Sequence, residues 1–254
     1  MLKDQCRLPK IDLEAHFYTE EFVDLLSRSN GYPRFVGNRY WYTSDTFITH
    51  SEGLRRRLLE VGDERIKEMD KAGIAVEVLS LAEPSYEQME PKLATAMAKK
   101  TNDYIADVVQ RHPDRFVGFA TLAPQDPGAA ADELRRAVRD LGLRGWKTHS
   151  NYVDKYLDDE EFRPILAAAE SLGVPIYLHP TVPAIVQMRK YGYALAGPPF
   201  GFGAEAAMAA MRLIYSGAFD RYPNLKVILG HLGEGLPFMI KRIDFAYVRP
   251  WYDP

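Results

Sequence analysis

Short apolar runs alternate strictly with stretches of helical spacing along this chain, and that alternation limits its fold more than any other feature. The runs cover residues 10–17, 75–81, 116–122, 143–149, 174–179 and 225–231. The spacing predicts helices over 19–29, 54–71, 91–112, 127–141, 159–172, 204–222 and 235–247. Gly73, Gly142 and Gly173 stand where helix C-caps are expected, and Pro91 and Pro113 flank the longest helix on the expected sides. Several runs are apolar almost throughout, as in parallel strands covered on both faces. The order predicts an α/β fold, a (β/α)8 barrel of the TIM type with six of its eight strands present and the last two missing from this chain. There is no Gly/Ser-rich linker and no composition shift, so one C-terminally incomplete barrel domain is expected over residues 1–254. Residues 31–50 and 181–203 read as long irregular loops, the first rich in aromatics (Tyr32, Phe35, Tyr40, Trp41, Tyr42, Phe47).

Four of the runs carry a histidine at or next to their end, and three of these come first: Glu14-Ala15-His16, Tyr177-Leu178-His179 and Leu229-Gly230-His231. Parallel α/β folds build their sites at the C-terminal ends of strands. Glu14 and His16 are two apart on a strand, so both leave one face, with Asp12 one step deeper. A carboxylate and imidazoles gathered at strand ends can hold one Zn²⁺ or Mn²⁺. His231 is followed by Leu232-Gly233-Glu234-Gly235, so Glu234 can tune its ring. His149 ends the fourth run as a reserve ligand or substrate contact, and Lys147 shares its face. His50 and His112 read as structural. The cluster Arg55-Arg56-Arg57 suits an anionic substrate because arginine grips carboxylates bidentately.

Composition excludes several classes. The net charge is −3, so no basic field is available for nucleic acid. Cys6 is the single cysteine, so no intramolecular disulfide is possible and a reducing cytoplasm is the expected compartment. No run is long enough to span a bilayer and no secretory leader is visible. Gly201-Phe202-Gly203 follows a Pro-rich loop rather than a strand, which excludes a dinucleotide fingerprint.

These strings resemble the amidohydrolase-2 group of metal-dependent decarboxylases, which includes γ-resorcylate, 2,3-dihydroxybenzoate and aminocarboxymuconate semialdehyde decarboxylases. Supporting strings are residues 65–74, 113–119 and 217–223. The resemblance implies a (β/α)8 barrel, one divalent metal, and non-oxidative loss of CO2 from a hydroxylated aromatic or related carboxylate. It implies Glu14, His16 and His179 as metal ligands and His231 with Glu234 as the acid–base pair. Arg56, His149 and Phe17 are the candidate substrate contacts. It also implies a homo-oligomer (dimer or tetramer) and a further aspartate ligand from strand eight. Asp244 and Asp253 follow the sixth run and do not match that aspartate. The same residues leave two alternatives: a hydrolase or hydratase of a small carboxylated lactone or diene, and an inactive truncated barrel.

Overall fold

The structure is a computed structural model that describes residues 8–249. Cys6 and Asp253 lie outside the described residues. In chain order the strands are β1 (Lys10–Phe17), β2 (Arg34–Val36), β3 (Arg39–Trp41), β4 (Phe47–Thr49), β5 (Ile74–Leu81), β6 (Phe116–Gly118), β7 (Trp146–His149), β8 (Pro175–His179) and β9 (Lys226–Leu229). The helices are α1 (Glu20–Arg28), α2 (Glu52–Leu59), α3 (Asp63–Ala72), α4 (Pro91–Arg111), α5 (Pro127–Arg139), α6 (Arg163–Leu172), α7 (Tyr193–Ala196), α8 (Gly201–Tyr215), α9 (Ala218–Arg221) and a last helix, Leu236–Tyr247.

Two parallel sheets carry the fold, in the orders β1-β5-β6 and β7-β8-β9. A parallel bridge between Ala120 and Trp146 joins them, with Ala120 N–H donating to Gly145 O at 2.7 Å. The expected strands therefore lie side by side in sequence order. Gly145 permits the junction, because a Cβ there would meet the Phe119 ring at 2.7 Å. β6 is shorter than the run 116–122 for a specific reason. Phe119 and Ala120 still pair with backbone, on Leu79 O and Gly145 O, but at Thr121 the chain takes a side-chain partner: Asn102 Oδ1 accepts from Thr121 N–H at 2.7 Å, and its amide donates to Thr121 O at 2.9 Å. The same amide donates to buried Glu133 Oε1 at 2.7 Å. Replacing Asn102 with alanine strands these buried groups, so the chain is expected to lose about 2–4 kcal/mol. A urea midpoint lowered with unchanged slope is the measurement that checks this.

Helices cover the outer faces. Thr19 caps α1 by accepting from Phe22 N–H at 3.1 Å, and Phe22, Val23 and Leu26 form its buried face. Phe17, Trp146, Ile176 and Leu178 are fully buried between sheets and helices. The helix expected over 54–71 is broken into α2 and α3. The Glu60 side chain accepts from Gly62 N–H at 2.8 Å and competes with helical bonding there. That break lets Arg65 reach inward, donating to His16 O at 2.8 Å and pairing with Glu77 Oε2 at 2.6 Å. The end of β1 is thereby tied to β5. Likewise the helix expected over 204–222 ends at Tyr215, because Gly217 turns left-handed (φ +71°) before α9.

Residues 31–50 are not irregular: β2, β3 and β4 form an antiparallel sheet with Tyr40 opposite Ile48 and Phe35. His50 packs against Tyr18, Phe35 and Tyr40 beneath it, the structural place expected of it. Residues 181–203 contain a 3-10 turn at Val186–Arg189 and α7.

Candidate metal centre

The C-terminal ends of β1, β5, β7, β8 and β9 face one another. In register His16 lies beside Ser80, and His149 beside His179. Three expected donors converge there. His16 Nε2 and His179 Nε2 are 3.2 Å apart, and Glu14 Oε1 lies 3.1 Å from His179 Nε2 and 3.5 Å from His16 Nε2. Ligands about 2.1 Å from one cation stand roughly 3.0–3.4 Å apart, between octahedral and tetrahedral angles. The donor set therefore fits one divalent ion. The tautomers agree with this. His179 Nδ1 can only donate to Pro180 O, at 2.6 Å, which leaves the Nε2 lone pair facing His16 and Glu14. Lone pairs crowded at that distance repel unless a proton or cation lies between them.

Electrostatics follow from burial and proximity. Burial pushes the Glu14 carboxyl up, but hydrogen bonds from His16, His179 and His231 outweigh it and hold the group well below the usual carboxylate range. Burial, aided by the Lys147 ammonium, pulls His179 down to about 4 and also lowers His16. Both imidazoles are therefore neutral at pH 7, as metal ligands must be. His231 behaves oppositely. Glu14 Oε1 at 3.0 Å and Glu234 Oε1 at 2.6 Å hydrogen-bond its two nitrogens and raise it to about 10.

His231 does not end a strand as the run 225–231 predicts. β9 stops at Leu229, and His231, Leu232, Gly233, Glu234 and Gly235 all have positive φ. Three of these are not glycine, so the turn is strained, and it folds the His231 ring back over Glu14. Gly230 opens the turn because nothing larger fits: a Cβ would lie 2.6 Å from Tyr177 Oη and 3.3 Å from Glu14 Oε2. Gly230→Ala is expected to displace Tyr177, whose hydroxyl donates to Glu14 Oε2, and to weaken Mn²⁺ binding about 10–100-fold by calorimetric titration.

His149 is also at the centre, its ring 5.6 Å from that of His179. Its Nδ1 faces Glu87 Oε2 at 2.7 Å, and its buried Nε2 has no hydrogen-bond partner. Two of the expected substrate contacts are not there. Phe17 is one residue out of phase with Glu14 and His16, so strand alternation sends it into the core, where it packs near Tyr104. Arg56 is on the exposed side of α2, in a separate surface cleft lined by Glu20, His50, Arg55 and Glu60. Its neighbour Arg55 faces inward, over the Phe35 ring. Asp244 is exposed on the last helix and does not join the donors.

Three contributors were not read from the sequence. Glu83 sits with His16 and His179 in a second donor group and accepts from Tyr42 Oη at 2.9 Å. Glu87, which burial raises to about 8, bonds Thr148 and His149. Tyr177 shares the His179 face by the spacing of two, a signal already present in the run.

The amidohydrolase family model matches residues 11–254. γ-Resorcylate decarboxylase from Polaromonas sp. is 41% identical over 244 residues, spanning 92% of this chain and 70% of that protein. The chain belongs to the amidohydrolase family. Among solved members, 5-carboxyvanillate decarboxylase from Novosphingobium aromaticivorans, complexed with manganese, superposes with a TM-score of 0.84 at 35% identity, covering 95% of this chain and 70% of that one. The 2,6-dihydroxybenzoate decarboxylase from Rhizobium gives 0.79 at 35% identity, covering 96% and 74%. The parallel α/β architecture is that of these family enzymes.

Proposed function

We propose that this chain is a metal-dependent, non-oxidative decarboxylase of small hydroxylated aromatic acids. The observation that carries the reading is the convergence of Glu14 Oε1, His16 Nε2 and His179 Nε2 within 3.5 Å, with His231 Nε2 3.0 Å from the same carboxylate. The named decarboxylases it resembles, two of them by structure, support the same chemistry. We read the parallel strands as the first six of a (β/α)8 barrel and residues 1–254 as one domain.

Glu14, His16 and His179 would hold one Zn²⁺ or Mn²⁺, which supplies positive charge to orient the substrate's carboxylate and neighbouring hydroxyl and to offset developing negative charge. His231 delivers the proton. Nε2 carries it beside the donor set, and Glu234 on Nδ1 keeps the ring charged and aimed. Protonation of the ring carbon that bears the carboxylate precedes C–C cleavage. The electron pair of the broken bond returns to the ring, and CO2 leaves. Tyr42, in the turn between β3 and β4, hydrogen-bonds Glu83 beside the donor set and helps to exclude water. His149, with its free nitrogen, is the substrate contact we retain from the sequence reading; Phe17 and Arg56 are not.

A small carboxylate is thus the partner. Homo-oligomeric assembly, as a dimer or tetramer, is supported by Phe238 and Phe245 exposed on the last helix. A cytoplasmic location is supported by the lone cysteine. No helix among the described residues is long and apolar enough to cross a membrane.

Turnover of salicylate in D2O with Mn²⁺-loaded protein tests the chemistry. Release of CO2 with deuterium at the former carboxyl carbon is expected. Oxygen incorporation from labelled water without CO2 would instead point to hydrolysis or hydration.

A further inference from the structure

His149 closes β7 in register beside His179, so its ring leaves the sheet on the face that carries the donor set. The two rings meet edge to face, with centroids 5.6 Å apart. His149 belongs to neither donor group, Glu14-His179-His231 or His16-Glu83-His179. It is therefore left to meet a molecule held at those donors, not the ion itself.

A chain of hydrogen bonds fixes this ring, and it ends on Glu87 in the loop after β5. Both side chains are buried, with exposures of 0% and 2%. His149 Nδ1 lies 2.7 Å from Glu87 Oε2, and Thr148 Oγ1 donates to Glu87 Oε1 at 2.9 Å. Thr148 spends its one hydrogen there, so Tyr152 Oη, at 2.6 Å, donates to Thr148. Two donors converge on one carboxyl group, which makes Glu87 the acceptor and puts the His149 proton on Nδ1. Burial raises Glu87 to about 8, and a proton gained there can sit on Oε1 toward Thr148 without breaking the Nδ1 bond. The neutral ring then bears a lone pair on Nε2. That atom is buried and has no hydrogen-bond partner among the described residues. A buried acceptor left open is costly, and beside a donor set it points to a proton donor that arrives with the ligand. Hydroxylated aromatic acids carry one in the ring hydroxyl, whereas their carboxylate has no hydrogen to give.

We propose that His149 Nε2 accepts a hydrogen bond from the ring hydroxyl ortho to the substrate carboxylate, and that Glu87 is the positioning residue that keeps this nitrogen unprotonated and aimed. This rests on the aromatic-acid reading above and assigns its hydroxyl specificity to two named residues. The bond draws the hydroxyl proton outward, which enriches the ring carbon that His231 protonates.

Salicylate and benzoate differ only in that hydroxyl, and calorimetric binding of each to the Mn²⁺-loaded chain tests the pair. The wild-type chain is expected to prefer salicylate. His149→Phe should cut the preference roughly five- to tenfold, the worth of one buried hydrogen bond. Glu87→Leu should cut it as much, and the double variant no further, because Glu87 acts through His149. Glu87→Gln should keep most of it, since an amide oxygen still accepts from Nδ1–H. A preference unchanged in His149→Phe, or losses that add in the double variant, would overturn the assignment. The wild-type chain gives a second measurement if a variant fails to fold. In the Zn²⁺-loaded protein the nitrogen NMR resonance of His149 Nε2 should be that of an unprotonated atom and should move with salicylate but not with benzoate. A protonated Nε2, or one indifferent to salicylate, would contradict the pair. CO2 release from salicylate separates this from the function itself. If no CO2 appears but the binding preference still depends on both residues, the pair stands and the decarboxylase reading fails. If CO2 is released and neither variant changes the preference, the decarboxylase stands and the pair fails.

Discussion

His231→Ala is expected to slow CO2 release by about 10³-fold while the chain keeps its metal. General acid catalysis by a positioned side chain contributes roughly 10²–10⁴-fold. His231 contributes charge as well as geometry. Two carboxylates hold its proton, and its ring is half-exposed, at 46%, so it can be recharged from water between turnovers. The loss should fall on kcat far more than on KM, because the proton is delivered only in the transition state. Glu234→Gln should act in the same direction but more weakly, since Glu14 still supports the ring. The sign of the pH effect follows from the raised His231, which Glu14 and Glu234 hold above the usual imidazole range: the acid is charged below its raised value and lost above it, so Glu234→Gln should pull the alkaline limb of kcat toward neutral pH. Stopped-flow CO2 detection with metal analysis of the same samples checks both. Loss of metal along with activity in His231→Ala would move His231 from proton donor to ligand.

His179→Ala is expected to abolish activity to below detection, a fall of more than about 10⁴-fold, and to remove metal-dependent stabilisation altogether. His179 is the hub of the donor set: its Nε2 lies near both His16 Nε2 and Glu14 Oε1, and its Nδ1 is locked onto Pro180 O. Removing it breaks both donor groups that contain it, the one with Glu14 and the one with His16 and Glu83, and leaves too weak a set to hold a divalent ion against water. Ligand binding to the native state stabilises by about 4 kcal/mol at a thousandfold excess over Kd. Wild-type protein should therefore melt several degrees higher with Mn²⁺ than with chelator, and His179→Ala should melt at one temperature in both. Thermal melts by circular dichroism measure this directly. A persistent Mn²⁺ shift in His179→Ala would assign the ion to other residues.

The strand–helix order and the convergence of Glu14, His16 and His179 were legible because both are local. Strand alternation puts Glu14 and His16 on one face without knowledge of the rest of the chain, and the strand-end rule places His179 beside them. The same alternation, applied one residue further, excludes Phe17, so that error lay in carrying a motif whole. The split of α2 from α3 hung on a single Glu60–Gly62 hydrogen bond, which no spacing reveals. Glu83 and Glu87 were invisible for another reason. They lie in the loop after β5 and meet Tyr42, Thr148 and His149 only when distant segments are brought together. The glycines at 230, 233 and 235 signalled a turn after β9, but only its left-handed geometry shows that the His231 ring bends back to Glu14. Arg56 suits an anionic substrate by its chemistry, but the helical phase of α2 turns it to solvent.

One measurement bears most directly on the central claim. Crystals grown with Mn²⁺ should show a single anomalous peak per chain within about 2.0–2.3 Å of Glu14 Oε1, His16 Nε2 and His179 Nε2. A peak held by His16, His179 and Glu83 with Glu14 turned away, or no peak at these residues, would contradict the account.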